Sequence, residues 1–193
     1  MGVRALVGVA IAVLGLAGWA TAQEPRPKPD EMVNSPPFQH WASFKVGAKV
    51  TQKQVVTLPD GAKAEQVIVQ KLLENSPKRV VVETVVTEHS KDVAEVTRTV
   101  TTYSPMIRMD QVSTTTPDVS VTEGKEDLMV KGKKVASEWV ESVSKSGDEV
   151  WKEKTWTAQD IPGGIIKETL VHERGGKVVS ESVLELVDFN LGS

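Results

Sequence analysis

Few residues in this 193-residue chain are of a type and spacing that could do chemistry. The three histidines, His40, His89 and His172, share no motif spacing, whereas a metal site needs several ligands gathered on one centre. Ser142-Val-Ser-Lys145 matches a Ser-x-x-Lys pattern, but it falls across a strand end and a glycine turn rather than at a helix N-terminus. No serine stands in a G-x-S-x-G elbow. Glu138, Glu141, Glu149, Glu153, Glu168, Glu181 and Glu185 mostly alternate with apolar residues. A glycosidase needs two carboxylates facing across a cleft. Alternation along a strand instead reads as a solvated face.

The aromatic residues carry more information. Trp139, Trp151 and Trp156 fall on consecutive expected strands. Trp151 and Trp156 are five residues apart, so a regular strand points them to opposite faces. Trp139 can pack against one of them across a hairpin, as a core anchor or as the floor of a site for an apolar or sugar ligand. Trp156 also opens Trp-Thr-Ala-Gln-Asp160-Ile-Pro162-Gly163-Gly164, read as a structural corner: Pro162 presets φ, and the glycines permit a turn and close backbone approach.

The elements that position these residues are strands. Beyond residue 38, β-branched Val and Thr dominate and leucine is sparse, a composition suited to pleated, half-buried surfaces. Turn signals recur at Pro59-Asp60-Gly61, Asn75-Ser76-Pro77, His89 to Asp92, Lys131-Gly132-Lys133, Ser146-Gly147-Asp148 and Arg174-Gly175-Gly176. The expected fold is all-β: a curved antiparallel meander of roughly eight or nine strands forming a partly open barrel. Residues 103–123 read as a long irregular segment, with Met106, Ile107 and Met109 as a candidate lid.

Ahead of the domain lie two other segments. Residues 1–22 read as a signal peptide, with Arg4, an apolar stretch from Ala5 to Gly18, and Ala20-Thr-Ala22 as the cleavage pattern. Residues 23–38 hold five prolines and read as a flexible leader, and 39–193 as a single β domain. Export to a periplasm or cell exterior follows, with nothing spanning the membrane after cleavage. The lack of cysteine excludes disulfides, thiolate metal sites and Cys nucleophiles. A net charge of −3 argues against a nucleic-acid partner, and no P-loop or GxGxxG run suggests a nucleotide cofactor. No cofactor is expected.

Three stretches resemble a family of exported bacterial proteins of unknown function: Trp41-Ala-Ser-Phe-Lys-x-Gly47, Gly132-Lys133 before the strand bearing Trp139, and Trp156 to Gly164. The strand rhythm is similar to that of outer-membrane lipoprotein carriers of the LolA and LolB type. That resemblance implies a curved, incomplete barrel carrying acyl chains on its concave face. The leading expectation is a non-enzymatic carrier or sensor for a lipid or other apolar ligand, lined by Val67, Val69, Val82, Val96, Trp139 and Trp156. The alternative is an interaction module of the cell envelope with a protein partner and no small ligand. A hydrolase ranks third.

Overall fold

The computed structural model describes residues 31–89, 94–108 and 119–192. Strand β1 (Met32–Asn34) and helix α1 (Pro36–Ala42) precede a long run of strands. These are β2 (Lys49–Thr57), β3 (Lys63–Ser76), β4 (Arg79–His89), β5 (Ala94–Tyr103), the short β6 (Met106–Arg108), β7 (Val119–Val130), β8 (Lys133–Ser146), β9 (Glu149–Thr157), β10 (Ile165–Arg174) and β11 (Lys177–Asn190). Nine of them form one antiparallel sheet in the order β5-β4-β3-β2-β11-β10-β9-β8-β7. β1 and β6 pair separately. The sheet does not close, so the architecture is a partly open barrel, in line with the expected fold.

The order is two meanders, β2–β5 and β7–β11, joined where β2 pairs with β11. That junction is the one place in the large sheet where neighbours in space are not neighbours in sequence. β5 and β7, the two edges, bound the open seam.

One face of the sheet is the interior. Along β2 and β3 the buried residues are Val50, Gln52, Gln66, Ile68 and Leu72, all on one side. Val82 and Val86 continue that side on β4, and Leu184 on β11. The opposite side presents Lys53, Glu65 and Lys71 to solvent.

Helix α1 fills one end of the curl. Trp41, Ala48, Val50, Leu72, Val80 and Val82 form a cluster there, with Phe38, Phe44 and Tyr103 against it. Three strand irregularities lie at the same end, between Leu72 and Glu74, Leu186 and Asp188, and Ile165 and Lys167. Bulges bend a strand and raise its twist, which lets the sheet wrap the helix.

Two expected segments differ from the structure. The proline-rich leader, read to residue 38, already contains β1 and the start of α1. Pro36 and Pro37 sit in the first turn, where the missing N–H costs no hydrogen bond, and Ser35 caps the helix. The segment 103–123, read as irregular, contains β6 and the first residues of β7. Met106 pairs with Asn34 and Ile107 with Val33, so these two lie in a small sheet. Met109 lies outside the described residues.

Candidate functional site

Strand register decides where the six expected lining residues go. A continuous cross-strand row runs Val96, Thr87, Val67, Lys53, Glu185, Lys167, Trp156 and Trp139. It contains Lys53, so it lies on the outer face. Val69 shares that face. Val82 alone is interior, buried in the cluster beneath α1. The six therefore do not converge: Val96 stands at the β5 edge, 61% exposed, and the tryptophans lie several strands away.

Trp139 and Trp156 are directly opposite across the β8–β9 pair. The Lys154 ammonium sits 3.9 Å from the Trp139 ring centre and 4.9 Å from that of Trp156, a cation–π arrangement. Trp156 Nε1 donates to Glu126 Oε1 at 2.8 Å. Trp139 lies flat over Gly124, where a Cβ would come within 2.5 Å of its ring. Both indoles are thereby held as structural parts of the outer face.

Pro162, Gly163 and Gly164 form the corner between β9 and β10, and α1 rests on it. Gly163 N donates to His40 O at 3.2 Å, and Gly164 N to Ile161 O at 2.9 Å. Both glycines have positive φ, and a Cβ at either would press on Trp41 or His40. Burial pushes the His40 imidazole below its ordinary value, against an opposing backbone hydrogen bond at Gly163. Beside this corner an open groove of about 690 Å³ is lined by His40, Glu126, Asp127, Ser137, Glu138 and Asp160, among others. Much of its charge is already paired: Lys125 holds Glu138 at 2.7 Å and Lys134 holds Asp127 at 2.6 Å.

The inner face carries the residues with unspent chemistry. Glu153 on β9 and Glu168 on β10 both point inward, beside Thr155. Neither has a basic partner among the described residues. Burial raises both carboxyls, and the neighbouring Glu153 charge helps push Glu168 up to about 7. Two steps along, Trp151 and His172 stack face to face, ring centres 3.6 Å apart and planes within 4°. His172 is only 8% exposed, and its Nε2 has no hydrogen-bond partner. The nearest carboxylate oxygen, Glu149 Oε2, is 3.8 Å away. Glu149 also pairs with Arg174. Across from Trp151 on β8 lies a row of small hydroxyls, Ser142, Ser144 and Ser146. Among the described residues, no group of three His, Asp or Glu could hold a metal ion.

In sequence, Glu149, Glu153 and Glu168 read as part of a solvated face, and Trp151 as a core anchor or the floor of a ligand site. Glu149-x-Trp151-x-Glu153 and Ser142-x-Ser144-x-Ser146 each keep a strict period of two. Only the pairing of β8 with β9 puts the two rows side by side on one surface.

No protein-family model and no curated protein sequence matches the chain. Similar solved structures include an exported protein with a YmcC-like fold from Bacteroides fragilis, at 13% identity and TM-score 0.44 over 76% of this chain and 97% of that one. An outer-membrane lipoprotein-sorting protein domain from Vibrio parahaemolyticus has 10% identity and TM-score 0.26, over 75% of this chain and 85% of that one. A LolA superfamily protein from Nitrosomonas europaea has 9% identity and TM-score 0.25, over 81% and 90%. Exported proteins and the LolA superfamily, the two classes the sequence resembles, are thus both represented among the structural neighbours. No helix among the described residues is long and apolar enough to cross a membrane.

Proposed function

We propose that the chain is a non-enzymatic binding module of an exported compartment whose protein partner docks as an extended strand on the open seam of the sheet. The observation that carries this reading is the β5 edge. Ala94–Val100 is exposed residue after residue, with Val96 and Val100 the largest apolar groups on it. No proline, glycine or bulge interrupts β5, and its pairing with β4 is regular throughout. Edge strands are commonly blunted by such devices or by charge; β5 carries two charges, Glu95 and Arg98, in a stretch otherwise rich in Val and Thr, and an uninterrupted edge of that kind is a template for strand addition. Alternate β5 residues turn their backbone N–H and C=O groups away from β4, toward an incoming strand.

The exported compartment follows from the signal peptide read at residues 1–22, with a mature chain of 23–193. The reading needs no cofactor and no nucleic acid. Glu153 and Glu168 do not argue for hydrolysis, because they stand on adjacent strands on one side of any ligand over β8, whereas glycoside cleavage needs carboxylates that flank the bond.

A photo-crosslinking residue placed in cells at Val96, at Val100 and, as a control, at Val171 in the middle of the sheet tests this. The expected result is one adduct of discrete mass from both β5 positions and none from Val171. No adduct at β5, or equal adducts at all three, overturns it.

A specific observation also favours the carrier reading. Val119 and Val121 stand exposed on the inner face of β7, beside the seam, where an acyl chain or similar apolar ligand could lie. Native mass spectrometry before and after delipidation decides it. A lipid-sized mass lost and then regained supports a carrier, and a chain that stays bare in excess lipid removes that reading.

A further inference from the structure

A second binding feature lies away from β5, over β8. On the inner face, Ser144 stands directly between Trp151 on β9 and Val119 on β7, and Ser142 between Glu153 and Val121. Small residues on the middle strand and larger ones on both neighbours make a slot. Its walls are two strand spacings apart, about 10 Å, and its Ser142-to-Ser146 floor is about 14 Å long. One wall is preset: His172 covers the far face of Trp151 and holds the ring, while Trp151 itself stays 37% exposed.

The chemistry of the slot selects its occupant. Its polar groups are serine hydroxyls, which donate and accept, and carboxyls, which chiefly accept. Arg174, which shares this face of β10 with His172, is engaged by Glu149, and Lys152 lies on the opposite face. An anionic headgroup or fatty carboxylate would therefore meet carboxyls without an available cation. A cationic ligand finds little fixed negative charge, because burial shifts Glu153 and Glu168 toward the neutral form. A neutral polyhydroxylated ring fits both terms. Its C–H face stacks on the indole, and its equatorial hydroxyls reach Ser142, Ser144 and Glu153.

We infer that the inner face over β8 is a carbohydrate-binding slot that takes a β-linked pyranose chain, with Trp151 as its stacking wall. The inference is independent of strand docking at β5, and either can fail alone.

Calorimetric titration of the purified protein with cellotetraose and with chitotetraose tests it. The expected result is saturable binding of at least one. Trp151→Ala should weaken it by about tenfold or more, the scale of losing an aromatic anchor. Ser144→Val, which fills the floor with a strand-compatible side chain, should weaken it similarly with an unchanged melting temperature. Trp139→Ala, on the outer face, should leave affinity unchanged. If Trp151→Ala does not fold, Ser144→Val decides. No binding of either saccharide at millimolar concentration, unchanged affinity in Ser144→Val, or tighter binding of decanoate or tetramethylammonium overturns the inference.

Discussion

At the scale of single residues, the least comfortable group is Glu168. Its carboxyl, raised from 4.5 to about 7 by burial and by Glu153, favours the protonated form in the folded state. Between those values the folded chain binds more protons than the unfolded one, so stability falls as pH rises. The contribution is fully present below about pH 4.5 and lost as pH passes through 7, and its size is on the order of 3 kcal/mol. Glu168→Gln removes the titrating group. Urea midpoints at pH 5.5 and pH 8.5 should therefore differ less in the variant than in the native chain, with the variant the more stable at pH 8.5. A variant with the native pH dependence would assign that slope to other groups. Gly164 is constrained in another way. Its φ of +78° disfavours any side chain, and a Cβ would lie 2.8 Å from His40 Nδ1. Gly164→Ala should cost about 1–3 kcal/mol, read as a lowered melting temperature, because strain and a clash with α1 add. A melt unchanged within a degree would mean that α1 yields without cost.

At the scale of elements, α1 shows how a side chain far along the sequence holds a helix in place. Asn75 reads in sequence as a turn residue, yet β3 runs on through Ser76, and the turn falls at Pro77-Lys78. Asn75 Nδ2 instead donates to Ala42 O at 2.9 Å and Phe44 O at 2.6 Å, satisfying carbonyls at the helix end. Asn75→Ala leaves both without that donor and should cost about 1–3 kcal/mol. Proteolysis near Phe44 should quicken in the variant, and an unchanged cleavage rate would show that α1 stays docked without the clamp. The same contrast explains what the sequence made legible. Strands and hairpin turns were readable because period-two alternation and turn chemistry are local, as the opposite faces of Trp151 and Trp156 illustrate. Which face turns inward is not local. Val67, Val69 and Val82 all read as apolar lining, but register across the sheet sends the first two outward and the third inward. The Trp151–His172 stack joins residues of two strands and could not be read from either alone. The two prolines of the short helix read in sequence as breakers, although in the first turn they are starters.

At the scale of the whole molecule, one strand pair holds the fold together. Each meander can form from sequence-adjacent hairpins, but β2 meets β11 only by bringing residues more than a hundred positions apart into register. Side chains reinforce this junction. Gln54 Nε2 donates to Ser182 Oγ at 2.8 Å, Gln66 donates to Gln54, and Gln52 Nε2 donates to Ile165 O at 3.1 Å. Leu184 on β11 packs with Ile68 and Val86 of the first meander and with Ile165 of the second. Trp41 on α1 packs against the first meander, whereas Trp139, Trp151 and Trp156 all belong to the second. If the meanders unfold as one unit, tryptophan fluorescence and far-UV circular dichroism of the mature chain carrying Trp41→Phe must report the same transition. Leu184→Ala opens a cavity at the junction and should cost about 2–4 kcal/mol, moving both midpoints together. Two separated transitions, or a shift confined to fluorescence, would instead make each meander its own cooperative unit. The β2–β11 pair would then be an interface between two halves rather than the centre of one sheet. The two outcomes also bear on the seam. A single cooperative sheet holds β5 and β7 at a set separation, which a strand docking on either edge would meet already formed. Independent halves would let that separation vary, and a partner bridging both edges would have to bear the entropy of fixing it.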